Sequence, residues 1–230
     1  MFPLSRLHYQ VKGEGFPILC LHGHPGSGQC MSVFTNYLCQ NFKTIAPDLR
    51  GYGKSYGKTN FEITQHLIDL ETLLEKLQIS RCLILGWSLG GIIGMELAIR
   101  NPEQVAGLIL IATAARPRSN HPPITWQDNL YTALAGVINY FVPGWQWNID
   151  TFGKRSLFKY LIQNHTCATY QYLAKEAVPA YLQTSRQATR ALNRALIAGY
   201  NRITELPQIQ SPCLVLACLL YTSPSPRDNR

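Results

Sequence analysis

Short apolar runs that alternate with helical patterns most constrain what this chain can fold into. Runs typical of buried strands lie at 17–22, 42–47, 82–86, 105–112 and 213–217, and a weaker alternating segment lies at 7–11. Between them, isoleucine and leucine recur at spacings of three and four from 63 to 77, which predicts an amphipathic helix. This alternation predicts right-handed βαβ units and an α/β fold with a mostly parallel, doubly wound sheet covered on both faces.

The pattern changes between residues 114 and 205. No short β-branched run occurs there, whereas helix formers and aromatic residues are common, and Trp126, Trp145 and Trp147 all lie in this segment. A structureless loop of that length would be unusual, so the segment predicts a helical insertion. The expected organisation is a core sheet at 1–113, a helical cap at 114–205 and a further core strand at 206–217.

Composition and charge exclude several classes of function. The net charge is +8, but the basic residues are scattered, which favours an ordinary enzyme surface over a nucleic-acid partner. No apolar run is long enough to span a membrane, and the N-terminus lacks the pattern of a secretory signal, which favours a cytoplasmic location. Cysteines are dispersed, so no metal is expected, and those at 20, 82 and 213 lie in apolar runs that predict buried free thiols.

The segment Gly86-Trp87-Ser88-Leu89-Gly90-Gly91 follows a predicted strand and opens a predicted helix. A catalytic nucleophile on such a sharp turn projects above the sheet, and glycine at 86 and 90 removes side chains that would clash. The helix N-terminus beneath the turn favours negative charge. Ser88 is therefore the candidate nucleophile, and a merely structural Gly-Ser turn is the alternative.

The glycine-rich segment 22–28 follows the strand at 17–22. Acyl transfer needs two backbone N–H groups directed at the developing oxyanion. We expect one from Leu89, just after the nucleophile, and the other from His24, beside Gly23, because Pro25 has no N–H. A phosphate-binding loop is the rival interpretation, but Gln and Cys at 29–30 replace its Lys and Ser/Thr. We therefore expect no nucleotide and no other cofactor.

Three motifs in order resemble the α/β-hydrolase superfamily: H-G-H-P-G at 22–26, D-L-R-G-Y-G-K-S at 48–55 and G-W-S-L-G-G at 86–91. The resemblance covers about residues 7–217. It implies an eight-stranded sheet, a cap inserted after the sixth strand and a triad in the chain order Ser, Asp or Glu, His. It also implies that Asp48 and Arg50 have a structural role in fixing their loop.

The resemblance places the triad acid after the strand that begins at residue 213, and the His later still. The other position at which the family carries the acid, 112–114, holds Ala, Thr and Ala. Residues 218–228 resemble the in-frame translation of a sequencing adapter, with a natural Ser/Pro-rich tail as the alternative. We therefore expect this chain to be truncated at the C-terminus, to lack the triad acid and His, and to be inactive and poorly stable.

The leading interpretation of function is hydrolysis by a Ser nucleophile of an ester, thioester, amide or activated C–C bond. Epoxide hydrolases and haloalkane dehalogenases need a carboxylate nucleophile, so Ser88 argues against both. An inactive ligand-binding member of the fold, a lyase and a cofactor-free haloperoxidase are the alternatives. An aromatic insertion in which basic residues outnumber acidic ones suits a small, partly apolar substrate, although a solvated helical face explains it equally well. The sequence leaves the oligomeric state open.

Overall fold

The computed structural model describes residues 7–55, 57, 59–117, 125–162 and 164–217. These residues divide into two compact units. The sheet unit contains the described residues up to 117 together with 183–217. The helical unit contains the described residues from 125 to 182.

Six strands form one sheet in the sheet unit, in the order β1-β3-β2-β4-β5-β6. Strand β1 runs antiparallel to β3, and every other pair is parallel. The strands confirm all six predicted segments and the mostly parallel fold class. Their bounds are β1 Tyr9–Lys12, β2 Pro17–Leu21, β3 Lys43–Pro47, β4 Cys82–Trp87, β5 Val105–Ile111 and β6 Cys213–Leu216.

The helices of the sheet unit arise from the predicted periodic segments. The 63–77 pattern forms α2, and the stretch after the Ser88 turn forms α3, which is buried along most of its length. A 3₁₀ turn at Gly28–Met31 precedes α1. The helix bounds are α1 Ser32–Leu38, α2 Gln65–Lys76, α3 Leu89–Arg100 and α8 Arg186–Ile197.

Helix α8 lies within the interval that the sequence analysis assigned to the insertion, but it packs in the sheet unit. Ala188 and Ala191 belong to the main hydrophobic core. The N–H of Ser185, just before α8, donates to the Gly51 carbonyl at 2.8 Å. Helical periodicity shows that a segment has an apolar face without showing which body buries that face. The helical unit therefore ends near residue 182 rather than at the expected 205.

Strand β6 forms an open edge of the described sheet, and all four of its residues are exposed. The expectation of a buried thiol is therefore wrong for Cys213, because nothing among the described residues covers this strand on its outer side. The expectation is confirmed for Cys20 and Cys82, which are buried in central strands, where burial raises the pKa of each thiol to about 12.

The helical unit contains four α-helices and shows no strand among its described residues. Their bounds are α4 Trp126–Phe141, α5 Gln146–Thr151, α6 Cys167–Tyr172 and α7 Val178–Leu182, with 3₁₀ turns at Gly153–Arg155 and Leu157–Leu161 and a π turn at Leu173–Ala177. A reciprocal capping box between Thr125 and Asp128 begins α4. Asp128 also pairs with Lys159, whose ammonium group, together with Thr125, lowers the pKa of that carboxyl. No helix in the described ranges is long and apolar enough to cross a membrane.

Candidate active site

Ser88 lies on a strained turn between β4 and α3. Its φ of 51° and ψ of −112° fall in a region that a residue with a side chain rarely adopts. A Cβ on Gly86 would lie 2.5 Å from the Gly90 carbonyl oxygen, and a Cβ on Gly90 would collide with the Leu21 carbonyl oxygen. The turn can therefore form only because both positions are glycine, as the sequence analysis argued.

Strand β5 holds the Ser88 backbone in this conformation. The Ser88 N–H donates to the Ile111 carbonyl at 2.9 Å, and the Thr113 hydroxyl donates to the Ser88 carbonyl at 2.7 Å. The Thr113 side chain also occupies the space that a Cβ on Gly91 would need. Sequence reasoning considered Thr113 only as part of a vacant acid position. Its place just after β5, the strand that pairs with β4 beside the Ser88 turn, is the signal that could have identified this contact.

The loop after β2 packs directly against Ser88. A Cβ on Gly23 would lie 3.1 Å from the Ser88 Cβ and 3.7 Å from its Oγ, so only glycine permits this approach without displacement. Leu89 is the first residue of α3, where a backbone N–H has no acceptor within the helix. The N–H of His24 has no acceptor among the described residues. The structure thus brings Ser88, Gly23 and Leu89 together, with His24 next to Gly23 in the chain.

Two hydrogen bonds fix the ring of His22, which is fully buried beneath this loop. Its Nε2 accepts from the Leu49 N–H at 3.0 Å, so Nδ1 carries the proton and donates to the Gly23 carbonyl at 2.8 Å. Burial lowers the pKa of His22 to about 4, which keeps the ring neutral. His22 therefore joins the loop after β2 to the loop after β3 and orients the Gly23 peptide.

Tyr52 holds the side chain of His24, the residue after Gly23. Sequence reasoning missed Tyr52. The buried Tyr52 hydroxyl lies 2.9 Å from His24 Nδ1, and burial raises the pKa of this tyrosine. Burial also lowers the pKa of His24 to about 4. A neutral His24 ring with Nδ1 as acceptor and Tyr52 as donor satisfies both groups, and it fixes the side chain of the residue expected to supply an oxyanion N–H.

Asp48 and Arg50 have separate structural partners. The Asp48 carboxylate accepts from the N–H groups of Gly28 at 2.7 Å and Lys54 at 2.9 Å, and lies 3.1 Å from His8 Nδ1. Arg50 forms a buried bidentate ion pair with Asp69 of α2. Both side chains therefore anchor the loop after β3.

No acid or base engages the Ser88 hydroxyl in the described part of the chain. His8, His22 and His24 have the partners given above, and His165 bonds to the Tyr170 hydroxyl at 2.7 Å. The ring of His66 is buried beside Tyr52 and Phe61. The sixth histidine, at 121, and the expected tail at 218–228 lie outside the described residues. In the same described part, no group of three His, Cys, Asp or Glu side chains is arranged to hold a metal ion.

Curated relatives share parts of this chain. An uncharacterised hydrolase, YraK of Bacillus subtilis (strain 168), is 34% identical over 110 residues, which are 46% of this chain and 41% of that protein. A pimeloyl-[acyl-carrier protein] methyl ester esterase of Vibrio atlanticus (strain LGP32) is 26% identical over 149 residues, 64% of this chain and 55% of that protein. The chain thus spans about half the length of these relatives.

A solved structure shares the fold. The enol-lactonase from Burkholderia xenovorans LB400 superposes with a TM-score of 0.63 at 22% identity, covering 92% of this chain and 77% of that one. The family model for the alpha/beta hydrolase fold matches residues 17–142, which is more than half of the chain and includes the loop after β2, the loop after β3 and the Ser88 turn. The chain therefore belongs to the α/β-hydrolase fold family.

Proposed function

We propose that the protein is a hydrolase in which Ser88 is the nucleophile. The observation that carries the proposal is the strained Ser88 turn, with a φ of 51°, at the N-terminus of α3 and against Gly23. Backbone strain of this kind persists only where the surroundings enforce it, and here Ile111 and Thr113 hold the Ser88 peptide on both sides.

The oxyanion donors of the proposal are the backbone N–H groups of Leu89 and His24. The partial positive charge at the start of α3 adds to the stabilisation of a developing negative charge. The His22 and Tyr52 contacts support this role because they fix the Gly23 peptide and the His24 side chain before any substrate binds. Preorganised donors of this kind typically contribute about 3–4 kcal/mol to lowering the barrier.

The proposed substrate is a small, partly apolar ester, with a thioester, an amide or an activated C–C bond as further possibilities. The Vibrio relative named as a methyl ester esterase favours the ester. Serine at position 88 argues against epoxide and haloalkane chemistry, which require a carboxylate nucleophile. None of the five described histidines bonds to Ser88, so the proposal assigns no general base among the described residues.

The test is ester hydrolysis by the protein expressed from its full-length gene. Hydrolysis of short-chain p-nitrophenyl esters should fall by at least about 10³-fold in Ser88→Ala, with unchanged circular dichroism. The matched control is Ser80→Ala, at an exposed serine of the same unit, which should retain wild-type kcat/KM. Equal activity in Ser88→Ala and wild type would reject Ser88 as nucleophile.

A further inference from the structure

The ring of His22 bonds to backbone groups of two loops at once. Its Nε2 accepts from the Leu49 N–H at 3.0 Å, and its Nδ1 donates to the Gly23 carbonyl at 2.8 Å. His22 and Leu49 are fully buried, and all three residues belong to the sheet unit. The arrangement therefore lies within one compact unit, and substitutions can separate its two hydrogen bonds.

The Gly23 carbonyl and the His24 N–H belong to the same peptide group. This peptide is planar and trans, so its carbonyl oxygen and its amide hydrogen point in opposite directions. His22 holds the carbonyl on its own, buried side, which directs the His24 N–H away from His22. That N–H has no acceptor among the described residues, and it is the second oxyanion donor of the proposed function.

The two hydrogen bonds of His22 also act on the strength of this donor, because hydrogen bonds in series polarise one another. The Leu49 N–H draws electron density from the imidazole, which makes Nδ1–H a better donor to the Gly23 carbonyl. The bond to that carbonyl draws electron density from the peptide nitrogen, which makes the His24 N–H a better donor in turn. His22 therefore affects both the direction and the strength of one N–H group.

Gly26 leaves room for the hydrogen bond between His22 and Gly23. A Cβ at position 26 would lie 2.5 Å from the Gly23 carbonyl oxygen and 2.9 Å from His22 Nδ1. Gly26 does not have a left-handed φ, so the requirement for glycine comes from this contact rather than from the backbone conformation. The segment H-G-H-P-G thus supplies the ring, the peptide that the ring holds and the space that their hydrogen bond needs.

We propose that His22 is a positioning residue for the oxyanion site and acts through the Gly23–His24 peptide. This inference rests on the proposed function, because the direction of the His24 N–H affects catalysis only where an oxyanion forms next to Ser88. If His22 only joined two loops, both of its hydrogen bonds would affect stability and neither would affect kcat. If His22 positions the donor, loss of the bond to Gly23 lowers kcat even where the bond to Leu49 remains.

Asparagine and glutamine at position 22 separate the two hydrogen bonds, since either amide offers one donor and one acceptor group. In His22→Asn the amide nitrogen lies near the place of Nδ1 and can donate to the Gly23 carbonyl, whereas the Leu49 N–H loses its acceptor. In His22→Gln the longer side chain reaches the place of Nε2 and can accept from the Leu49 N–H, whereas the Gly23 carbonyl loses its donor.

The assay is ester hydrolysis and urea unfolding of the protein expressed from its full-length gene. His22→Asn should keep kcat close to that of wild type and unfold at a lower urea concentration. His22→Gln should lose at least about 10-fold in kcat with KM unchanged, which is part of the about 10²–10³-fold that removal of an oxyanion donor costs. An equal loss of kcat in the two variants, or wild-type kcat in His22→Gln, would overturn the proposal.

A second variant perturbs the same bond without changing His22. Gly26→Ala places a Cβ against both of its atoms and should lower kcat as His22→Gln does. The matched control is His66→Gln, at another buried histidine of the sheet unit, which should keep wild-type kcat despite lower stability. Wild-type kcat in Gly26→Ala, or a loss in His66→Gln equal to that in His22→Gln, would contradict the positioning role.

A spectrum that needs no turnover separates this inference from the proposed function. In protein labelled with ¹⁵N-histidine, the ¹H–¹⁵N spectrum contains both the His24 amide and the ring nitrogens of His22. The ring should show a protonated Nδ1 and an unprotonated Nε2, and the His24 amide resonance should move in His22→Gln more than in His22→Asn. An unmoved His24 amide in His22→Gln would overturn the inference, even in an active enzyme. A moved resonance with full activity in Ser88→Ala would instead reject the proposed function while supporting the orienting contact.

Discussion

Acidification from pH 7 to pH 5 is expected to lower the free energy of unfolding of the sheet unit by about 4 kcal/mol through two buried histidines. Burial lowers the pKa of His22 to about 4. Burial, with the coupling to His22 and the positive charge of Arg50, lowers the pKa of His66 to about 3. An unfolded histidine has a pKa of about 6.5. Between pH 6.5 and 4 the unfolded chain therefore binds protons that the native protein does not.

The size of this loss in the free energy of unfolding is set by protonation of the unfolded state. At pH 5, about 1.5 units below the pKa of an unfolded histidine, protonation stabilises that state by about 2 kcal/mol for each residue, because one unit corresponds to about 1.36 kcal/mol. Both native rings remain neutral at this pH. Above about pH 6.5 the two histidines cost no stability. Below it the free energy of unfolding falls with pH, and this loss reaches its limit near the native pKa values of about 4 and 3.

Urea unfolding at pH 7 and pH 5, followed by circular dichroism, measures this effect. His66→Phe removes one of the two groups, and a phenyl ring suits the site because Phe61 and Tyr52 surround the ring while Nδ1 has no partner among the described residues. The variant should lose about 2 kcal/mol less than wild type between the two pH values. His165→Gln, at an exposed position of the helical unit, should behave like wild type. Equal pH dependence in His66→Phe and wild type would refute the argument.

Three further variants test the packing around the site. Thr113→Val removes the hydroxyl that donates to the Ser88 carbonyl and should lower ester kcat with little change in KM, whereas Thr113→Ser should retain kcat; equal kinetics for both variants would contradict a positioning role. Gly90→Ala forces a Cβ against the Leu21 carbonyl and should abolish soluble expression, which a normal melting temperature would disprove. Arg50→Met leaves Asp69 as a buried carboxylate without its guanidinium partner and should cost about 3–5 kcal/mol in urea unfolding; a loss below 1 kcal/mol would show that the pair is replaceable.

Periodicity and glycine placement predicted the sheet well for a physical reason. A continuous apolar run is typical of a strand in a parallel sheet, and all five such runs became strands, as did the weaker alternating segment at 7–11. The Ser88 turn could also be predicted, because its glycines at 86 and 90 lie within one short segment. A side chain at either position would clash with backbone atoms. Local constraints of this kind are visible in sequence.

Contacts between distant segments were not predictable in the same way. The hydrogen bond between Tyr52 and His24 joins two loops, and the residue types alone do not indicate it. The place of α8 in the sheet unit depends on which body buries Ala188 and Ala191, a choice that an amphipathic pattern leaves open. The exposure of Cys213 likewise depends on β6 lying at the edge of the described sheet, which its apolar sequence does not reveal.

Covalent labelling with a fluorophosphonate tests the nucleophile most directly. The protein, expressed from its full-length gene, would be treated with the reagent, digested and mapped by mass spectrometry. The account predicts one stoichiometric adduct on the peptide that contains Ser88 and no adduct in Ser88→Ala, while Ser80→Ala labels like wild type. An adduct at another residue, labelling that persists in Ser88→Ala, or the absence of any adduct in the wild type would contradict the assignment of Ser88 as the nucleophile.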